Sequence, residues 1–348
     1  MERIALIAGN LVIYWRPLLV TSGAVTAILF FLAFYLRKPG NGLSAACAVP
    51  LALILSLFLS RLLHWYCRSA SYPSLAAAIT DYTTGGYALL GAFVGSVLAA
   101  LILRLLRISR SLLPMLDSMS LAGAGGIAVG RLASFFDTSD RGPIVQSLRS
   151  LPWVSPIRNQ TSGAVEYRLA VFLFQAMVAG GIFLILTLYY LVPRKKSKLP
   201  EGDTCILFLL FYGASQVLLD SIRYDSLFFR SNGFVSIVQV AGALAIVLAV
   251  VVFSVRLVKK TGLRPWHFVL WLFTVGLLGL AGYMEYVVQR YSEKAVFAYS
   301  VMSVCLLLII CIVLAVRKLS TGLPFEATRG GRFLRESKPP KANRRGSD

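Results

Sequence analysis

The chain has 348 residues, of which 57% are hydrophobic and only 14% are charged, and its formal net charge is +20. Soluble domains carry about 25% charged residues, so a chain this long and apolar cannot bury its hydrophobic surface in one or two soluble cores. The composition therefore excludes a soluble globular enzyme, a disordered protein and a nucleic-acid binder, and it predicts a protein that crosses a membrane several times.

Windows of about 20 mostly apolar residues, the length that crosses a bilayer as a helix, predict nine spans. They cover about 18–36, 44–65, 87–106, 112–136, 169–192, 204–221, 234–255, 267–289 and 297–316. No stretch alternates apolar and polar residues as the strands of a membrane barrel do. We therefore predict an all-α integral membrane protein, folded as a polytopic helical bundle.

The two ends of the chain differ from these windows. Residues 1–15 are too short and too interrupted to span, and no small-residue cleavage site follows an apolar core. We expect an amphipathic segment on the outer leaflet there, not a cleaved signal peptide. Residues 319–348 are basic and rich in Gly and Pro, which predicts a disordered cytoplasmic tail that contacts anionic lipid headgroups.

Basic residues are concentrated on one side of the predicted spans. That side carries 22 basic and 6 acidic residues, whereas the opposite side carries 13 basic and 9 acidic residues. Loops rich in Lys and Arg stay in the cytoplasm. We therefore predict an outside N-terminus and a cytoplasmic C-terminus.

Ionisable residues on the predicted outer side gather in loops 61–86, 137–168 and 222–233, and Arg131 and Asp220 lie at the outer ends of two spans. Ionisable groups at membrane depth are costly and mark sites or water-filled cavities. Because a guanidinium binds phosphate through two hydrogen bonds, we predict a cavity for an anionic phospholipid headgroup. For the other outer arginines, snorkelling to the membrane surface is the simpler interpretation; they are Arg68, Arg149, Arg158 and Arg230.

The fourth predicted span contains two further features. Residues 123–130 read GAGGIAVG, which superficially looks like a phosphate-binding loop. Gly126 and Gly130 are four residues apart in a hydrophobic helix, so close helix packing is the better interpretation. Asp117, near the inner end of the same span, is expected to cap a helix or pair with a basic neighbour. The triplet 159–161 fits a glycosylation pattern only weakly.

Six segments, in chain order, carry a more specific pattern. They are NLVIYWRPLLVTSG, SRLLHWYC, DYTTGGYALLGAFVG, GIAVGRLASFFDTSDRG, FYGASQVLLDSIRYD and SNGFVSIVQV. The fourth resembles the signature G-R-x-G-N-F-x-N-x-E-x-x-G, and the fifth resembles Y-G-x-x-R-x-x-x-E-x-x-R. Together they resemble the bacterial prolipoprotein diacylglyceryl transferase family over roughly residues 8–255. The resemblance implies a seven-span core in residues 1–260, followed by two additional spans in 261–318.

The resemblance implies that the diacylglyceryl group of phosphatidylglycerol is transferred, as a thioether, to the lipobox cysteine of a prolipoprotein. It implies phosphatidylglycerol or another anionic phospholipid and the preprolipoprotein signal peptide as partners, in the bacterial cytoplasmic (inner) membrane, with no metal or other cofactor. Such a reaction needs a cationic pocket for the phosphate leaving group and conditions that favour the thiolate.

The matched motifs carry functional residues over to this sequence. Arg131 falls on the signature arginine and Gly142 on its closing glycine, while Tyr212, Asp220 and Arg223 fall on the motif of the sixth span. The implied catalytic residues are Arg131, Tyr212 and Asp220. The implied headgroup-binding residues are Arg131, Arg223, Arg61, Gly142, Ser134 and Gln216.

Several positions depart from the family pattern. Leu90 replaces a histidine, Ser134 an asparagine and Gln216 an arginine, while Ser139, with Asp140 beside it, stands at the signature glutamate. These losses leave an alternative open, a non-catalytic lipid- or lipoprotein-binding membrane protein on the same scaffold. A transporter is a weaker alternative because no internal repeat is visible.

His64 is a candidate replacement base. A plain interfacial histidine is the more common interpretation.

Overall fold

The computed structural model describes most of the chain. The described residues are 4–8, 11–37, 40–80, 86–145, 150–158, 163–191, 200–230 and 232–320. The predicted tail beyond residue 320, the triplet 159–161 and Arg149 lie outside them.

Long apolar helices make up the structure, and eight of those described are long and apolar enough to cross a membrane. These eight are α1 (Trp15–Tyr35), α2 (Gly42–Cys67), α5 (Leu112–Gly130, extended to Phe136 by a 3₁₀ helix), α6 (Val171–Leu191), α7 (Asp203–Ile222), α8 (Ile237–Thr261), α9 (Pro265–Arg290) and α10 (Ala295–Ser320). The predicted span 87–106 is α4 (Leu89–Leu105), whose 17 residues are at the lower limit for crossing a bilayer. A short helix, α3 (Leu75–Thr80), follows α2. The prediction of an all-α polytopic membrane protein is confirmed.

Three antiparallel strand pairs precede α1, α6 and α8. They are β1–β2 (Ile4–Ala8 and Leu11–Tyr14), β3–β4 (Val154–Arg158 and Val165–Leu169) and β5–β6 (Phe228–Phe229 and Asn232–Ser236). Because α1, α6 and α8 run in the same direction through the alternating bundle, all three pairs lie at one end of it. The N-terminal segment that was expected to be amphipathic is therefore a strand pair, and it exposes Ile4, Leu6 and Ile7.

Helices α1 and α5 pack closely through glycines. A Cβ atom added at Gly126 meets the carbonyl oxygen of Gly23 and the Cβ of Ala27, both at 2.8 Å, and one added at Gly23 meets the backbone of Gly130 at 2.9 Å. These distances are shorter than real Cβ contacts allow, so a side chain at Gly126 must push the helices apart. The prediction that this glycine run serves helix packing is confirmed.

We expect Gly126→Ala to lower the free energy of unfolding by about 1–3 kcal/mol, the usual cost of overpacking a helix contact. Gly123→Ala is the matched control, because a Cβ there meets only Phe93, at 3.8 Å. The control should be neutral or slightly stabilising, since alanine favours a helix over glycine. Unfolding of both variants in detergent measures the difference, and equal midpoints would contradict the packing role.

The end at which α7 begins is held by charged groups. The carboxylate of Asp117 in α5 accepts the backbone N–H groups of Gly202 (2.7 Å) and Cys205 (2.8 Å), so it caps α7 from a neighbouring helix. Asp203, at the start of α7, pairs with Arg256 of α8 and with Arg317 of α10 at 3.0 Å. The capping role expected for Asp117 is confirmed, and α7 is fixed at this end by three neighbours.

Candidate functional site

A cluster of ionisable side chains lies at the opposite end of α7, where α5 also ends. Arg131 is the first residue of the 3₁₀ helix after α5, Asp220 lies in the last turn of α7, and Arg223 follows that helix. Asp140 lies in the loop after the 3₁₀ helix and has a positive φ of 56°. Two helix ends and one loop thus bring together groups from distant parts of the chain.

Asp140 is the centre of this cluster. Its Oδ1 atom lies 2.8 Å from Nη1 of Arg131 and 2.8 Å from Nη2 of Arg223, and its Oδ2 accepts the hydroxyl of Ser134 at 2.8 Å. Burial favours a raised pKa for Asp140, but the two guanidiniums outweigh it and hold the pKa well below its usual range. One ionised carboxylate therefore bridges the two arginines.

Arg223 contacts an aspartate through each of its three guanidinium nitrogens. Besides Asp140, Nη1 lies 3.2 Å from Asp220 and Nε lies 3.1 Å from Asp225. Although burial opposes its charge, these carboxylates raise the pKa of Arg223 above its usual value. The hydroxyl of Ser236 also contacts Asp220. Any external anion must therefore compete with the protein's own carboxylates for Arg223.

Arg131 differs from Arg223 because one of its donors is unused. Its Nε atom is buried and has no hydrogen-bond partner within the described residues, while Nη1 holds Asp140. Tyr212, two turns before Asp220 on α7, lies beside this guanidinium. A buried donor without an acceptor costs free energy, and an anion placed there would supply the missing acceptor. Arg131 is thus better suited than Arg223 to bind one.

Gln216 lies on the same face of α7, between Tyr212 and Asp220. Its Oε1 accepts a hydrogen bond from Nε2 of Gln175 in α6 at 3.3 Å. The Nε2 of Gln216 and the Oε1 of Gln175 are buried without partners in the described part of the chain. The polar face of α7 therefore continues from the cluster into the bundle, with a neutral amide pair at the position where the family pattern has an arginine.

Ser134 and Gly142 belong to the loop that shapes the cluster. Besides its hydroxyl hydrogen bond to Asp140, Ser134 accepts a hydrogen bond from Nη2 of Arg141 on its backbone carbonyl oxygen, at 3.0 Å. The N–H of Gly142 donates to Leu169 at 2.8 Å, and a Cβ there would lie 3.0 Å from Val171. The absence of a side chain at Gly142 thus lets the backbone of this loop lie close to the start of α6. Gly142 has no charged group that could contact a headgroup.

Arg61 and His64 are engaged elsewhere, with the segment that follows α2. Arg61 donates to the carbonyl oxygens of Ala78 and Gly86, the latter at 2.9 Å, and its guanidinium stacks on the ring of Tyr72 at 5.0 Å. The Nδ1 of His64 lies 2.8 Å from the hydroxyl of the same tyrosine. Leu90 lies in the first turn of α4. The structure thus brings five of the predicted residues together in the cluster: Arg131, Ser134, Tyr212, Asp220 and Arg223. Arg61 lies outside the cluster and contacts the segment after α2.

Sequence reasoning missed Asp140, Asp225 and Arg141 as members of the cluster. Arg141 is 2% exposed, stacks 4.9 Å from the ring centre of Phe172 and has two nitrogens without partners among the described residues. For Asp140 and Arg141 the available signal was the Asp-Arg-Gly run that closes the signature motif, in which two consecutive charged residues precede a glycine.

A groove of about 640 Å³ lies next to the cluster. Its lining includes two arginines and three aromatic side chains, Arg68, Arg230, Tyr224, Phe228 and Phe229. Nη2 of Arg68 donates to the carbonyl oxygen of Asp225 at 2.9 Å, which links this groove to the cluster. The arrangement combines an anion-binding centre with an adjacent amphipathic groove.

Comparisons with known proteins agree with the motif order. The family model described as prolipoprotein diacylglyceryl transferase matches residues 3–255. A phosphatidylglycerol–prolipoprotein diacylglyceryl transferase of Lactococcus lactis subsp. cremoris is 28% identical over 273 residues, covering 75% of this chain and 96% of that protein. One from Streptococcus pyogenes serotype M3 is 27% identical over 269 residues, with the same coverage. Helices α9 and α10 lie beyond the residues that the family model matches.

Proposed function

The chain belongs to the prolipoprotein diacylglyceryl transferase family, and from this we infer that it transfers the diacylglyceryl group of phosphatidylglycerol to the cysteine of a prolipoprotein. The observation that carries this inference is the position of Arg131. By the motif resemblance it falls on the signature arginine of the family, and its buried Nε donor lacks an acceptor among the described residues.

The proposed roles follow from the chemistry of the transfer. A carbon–sulfur bond forms between the cysteine thiolate and the glyceryl carbon, and the carbon–oxygen bond to phosphate breaks. The leaving glycerol phosphate takes the electron pair, and guanidinium groups that are already in place stabilise its charge. We assign phosphate binding to Arg131 and propose Tyr212 as a second hydrogen-bond donor. Arg223 is proposed to add a second positive charge on the other side of Asp140.

Asp220 is proposed to act on Arg223 and not on the substrate. Its carboxylate contacts the arginine at 3.2 Å and accepts the hydroxyl of Ser236 as well, so both of its oxygens already have donors from the protein. The phosphate competes with Asp140 for the nitrogens of Arg131 and Arg223. Both aspartates are therefore positioning residues that keep two cations in place when no substrate is bound.

The test mixes the full-length protein in phosphatidylglycerol vesicles with a lipobox peptide and follows the mass of the peptide. A mass gain of one diacylglyceryl group on the cysteine peptide, with none on a Cys→Ser control, is the expected result. Gln216 favours the alternative of a non-catalytic binding protein, because an amide pair replaces an arginine there. Absence of transfer, together with failure to rescue a transferase-depleted strain, would favour that alternative.

We further propose that the protein lies in the bacterial inner membrane with its N-terminus outside and its C-terminus in the cytoplasm. The support is the excess of basic residues on one side of the spans. We also propose that residues 1–260 form the transferase core, that 261–318 add two helices and that 319–348 form a cytoplasmic tail.

Cysteine labelling in intact cells measures this orientation. Val165→Cys and Leu263→Cys introduce thiols at two exposed positions, 53% and 58% accessible, at opposite ends of the bundle. In a background without the native cysteines, an impermeant maleimide should label the first directly and the second only after the membrane is opened. Direct labelling at Leu263 would reverse the proposed orientation.

A further inference from the structure

The two C-terminal helices reach the candidate site although they lie outside the family match. The carboxylate of Glu285 in α9 accepts the hydroxyl of Ser221 at 2.6 Å, and the hydroxyl of Tyr299 in α10 donates to the Ser221 carbonyl at 3.3 Å. Ser221 follows Asp220 directly, at the end of α7. Both helices therefore hold the short segment that carries Asp220 and Arg223.

A pocket of about 250 Å³ lies between α9 and the cluster. Its polar lining comes from both sides and includes Asp220, Ser221, Arg223, Gln239, Glu285 and Gln289. Liquid water occupies about 30 Å³ per molecule, so a three-carbon polyol fits in this volume. The pocket thus places a guanidinium of the cluster on one wall and a carboxylate from an additional helix on another.

Glu285 is a buried carboxylate in the lining of this pocket. Its residue is only 5% exposed, and its two oxygens accept hydrogen bonds from neutral groups, Ser221 at 2.6 Å and Gln289 at 3.0 Å. Within the described part of the chain, no ion pair reaches it. A carboxylate has about four acceptor sites, so Glu285 retains capacity for further donors. A ligand that supplies O–H donors would satisfy it.

We propose that this pocket receives the hydroxyl-bearing end of a phospholipid headgroup, the diol of phosphatidylglycerol, and that Glu285 determines the preference for it. This inference rests on the proposed function, which places the phosphate beside Arg131 and Arg223. The diol is attached to that phosphate and carries two O–H donors, while the facing wall offers carboxylate and amide acceptors. A headgroup without hydroxyls leaves the buried carboxylate without these donors, which is how polar sites discriminate strongly.

The experiment measures lipid binding and not transfer. Full-length protein in phosphatidylcholine nanodiscs is titrated with phosphatidylglycerol, and with phosphatidylpropanol, which keeps the phosphate and the three carbons but lacks both hydroxyls. We expect the parent to prefer phosphatidylglycerol by about ten-fold or more, the value of one hydrogen bond to a charged group. Glu285→Gln should reduce this preference to about two-fold, while phosphatidylpropanol affinity stays unchanged.

Two control variants separate recognition from support of the fold. Glu293→Gln removes an exposed carboxylate eight residues along the chain and should keep the parental preference. Tyr299→Phe removes the contact with the Ser221 carbonyl but leaves the pocket lining intact, and it should keep the preference too. If Tyr299→Phe lowers the preference as far as Glu285→Gln does, the helix pair acts as a brace and the proposed recognition is wrong.

Two other outcomes overturn the inference. One is a parent that binds both lipids equally. The other is a parent protein that binds phosphatidylethanolamine more tightly than phosphatidylglycerol and loses this preference in Glu285→Gln. The pocket would then be an ammonium site. If the parent protein prefers phosphatidylglycerol but transfers nothing, only the proposed function is overturned. If it transfers the diacylglyceryl group but has no headgroup preference, only this inference is overturned.

Discussion

Arg131→Ala should reduce phosphatidylglycerol binding by about ten-fold to a hundred-fold, since each hydrogen bond to a charged group contributes about 1.5–3 kcal/mol. The fold should survive the change, because Asp140 keeps its contact with Arg223 at 2.8 Å. Arg131→Lys keeps the charge but loses the planar fork and the unused Nε donor, so its binding should be intermediate. Titration of nanodisc-embedded protein gives the affinities, and the peptide mass assay gives the transfer rates.

Arg16→Ala is the matched control for this series. Arg16 lies at the same end of the bundle, its side chain is 48% exposed, and it pairs with Asp137 at 3.0 Å. Exposed pairs contribute about 0–1 kcal/mol, so this variant should bind and transfer like the parent. Parental affinity in Arg131→Ala would remove Arg131 from the site and with it the main support for the proposed function.

Asp140→Ala should lower the free energy of unfolding by about 3–5 kcal/mol, because it removes the carboxylate shared by two buried arginines. The side chains of Arg131 and Arg223 are only 15% and 12% exposed, so water cannot replace the lost anion fully. Asp140→Asn keeps the shape and one acceptor oxygen and should destabilise less. Denaturant unfolding in detergent, followed by circular dichroism, measures these changes.

Asp137→Ala is the control, since its pair with the half-exposed Arg16 should contribute about 1 kcal/mol or less. A second measurement ties the loss to the arginines. An anion that binds the folded state adds stability, so phosphatidylglycerol should raise the unfolding midpoint of Asp140→Ala more than that of the parent. A loss no larger than that of Asp137→Ala would show that Asp140 does not bridge the two cations in the membrane.

The helices were predictable from local composition. The window 169–192 corresponds to α6 (Val171–Leu191), and 204–221 corresponds to α7 (Asp203–Ile222). This agreement has a simple cause, because the thickness of the bilayer sets the length of every spanning segment. The strand pairs were not predictable in the same way. Each strand is short, and each pair forms only when two separate segments come together at the edge of an apolar stretch.

The candidate site was predictable only in part. The motif order selected Arg131, Tyr212, Asp220 and Arg223, and the structure brings these four together. It also selected Arg61, whose contacts are with the segment after α2. Position in a motif indicates which residue type is present, whereas the partner of a long side chain is decided by whichever element packs beside it.

The sequence by itself determined the membrane character of this protein, its helical architecture and its family, since these depend on hydropathy and on motif order. Only the tertiary structure decided that Asp140 bridges Arg131 and Arg223, and that Glu285 of an additional helix contacts Ser221. The partners in these contacts are 9, 83 and 64 residues apart. Hydropathy is a property of about twenty consecutive residues, but ion pairs and hydrogen bonds form between helices that the packing of the whole bundle brings into contact.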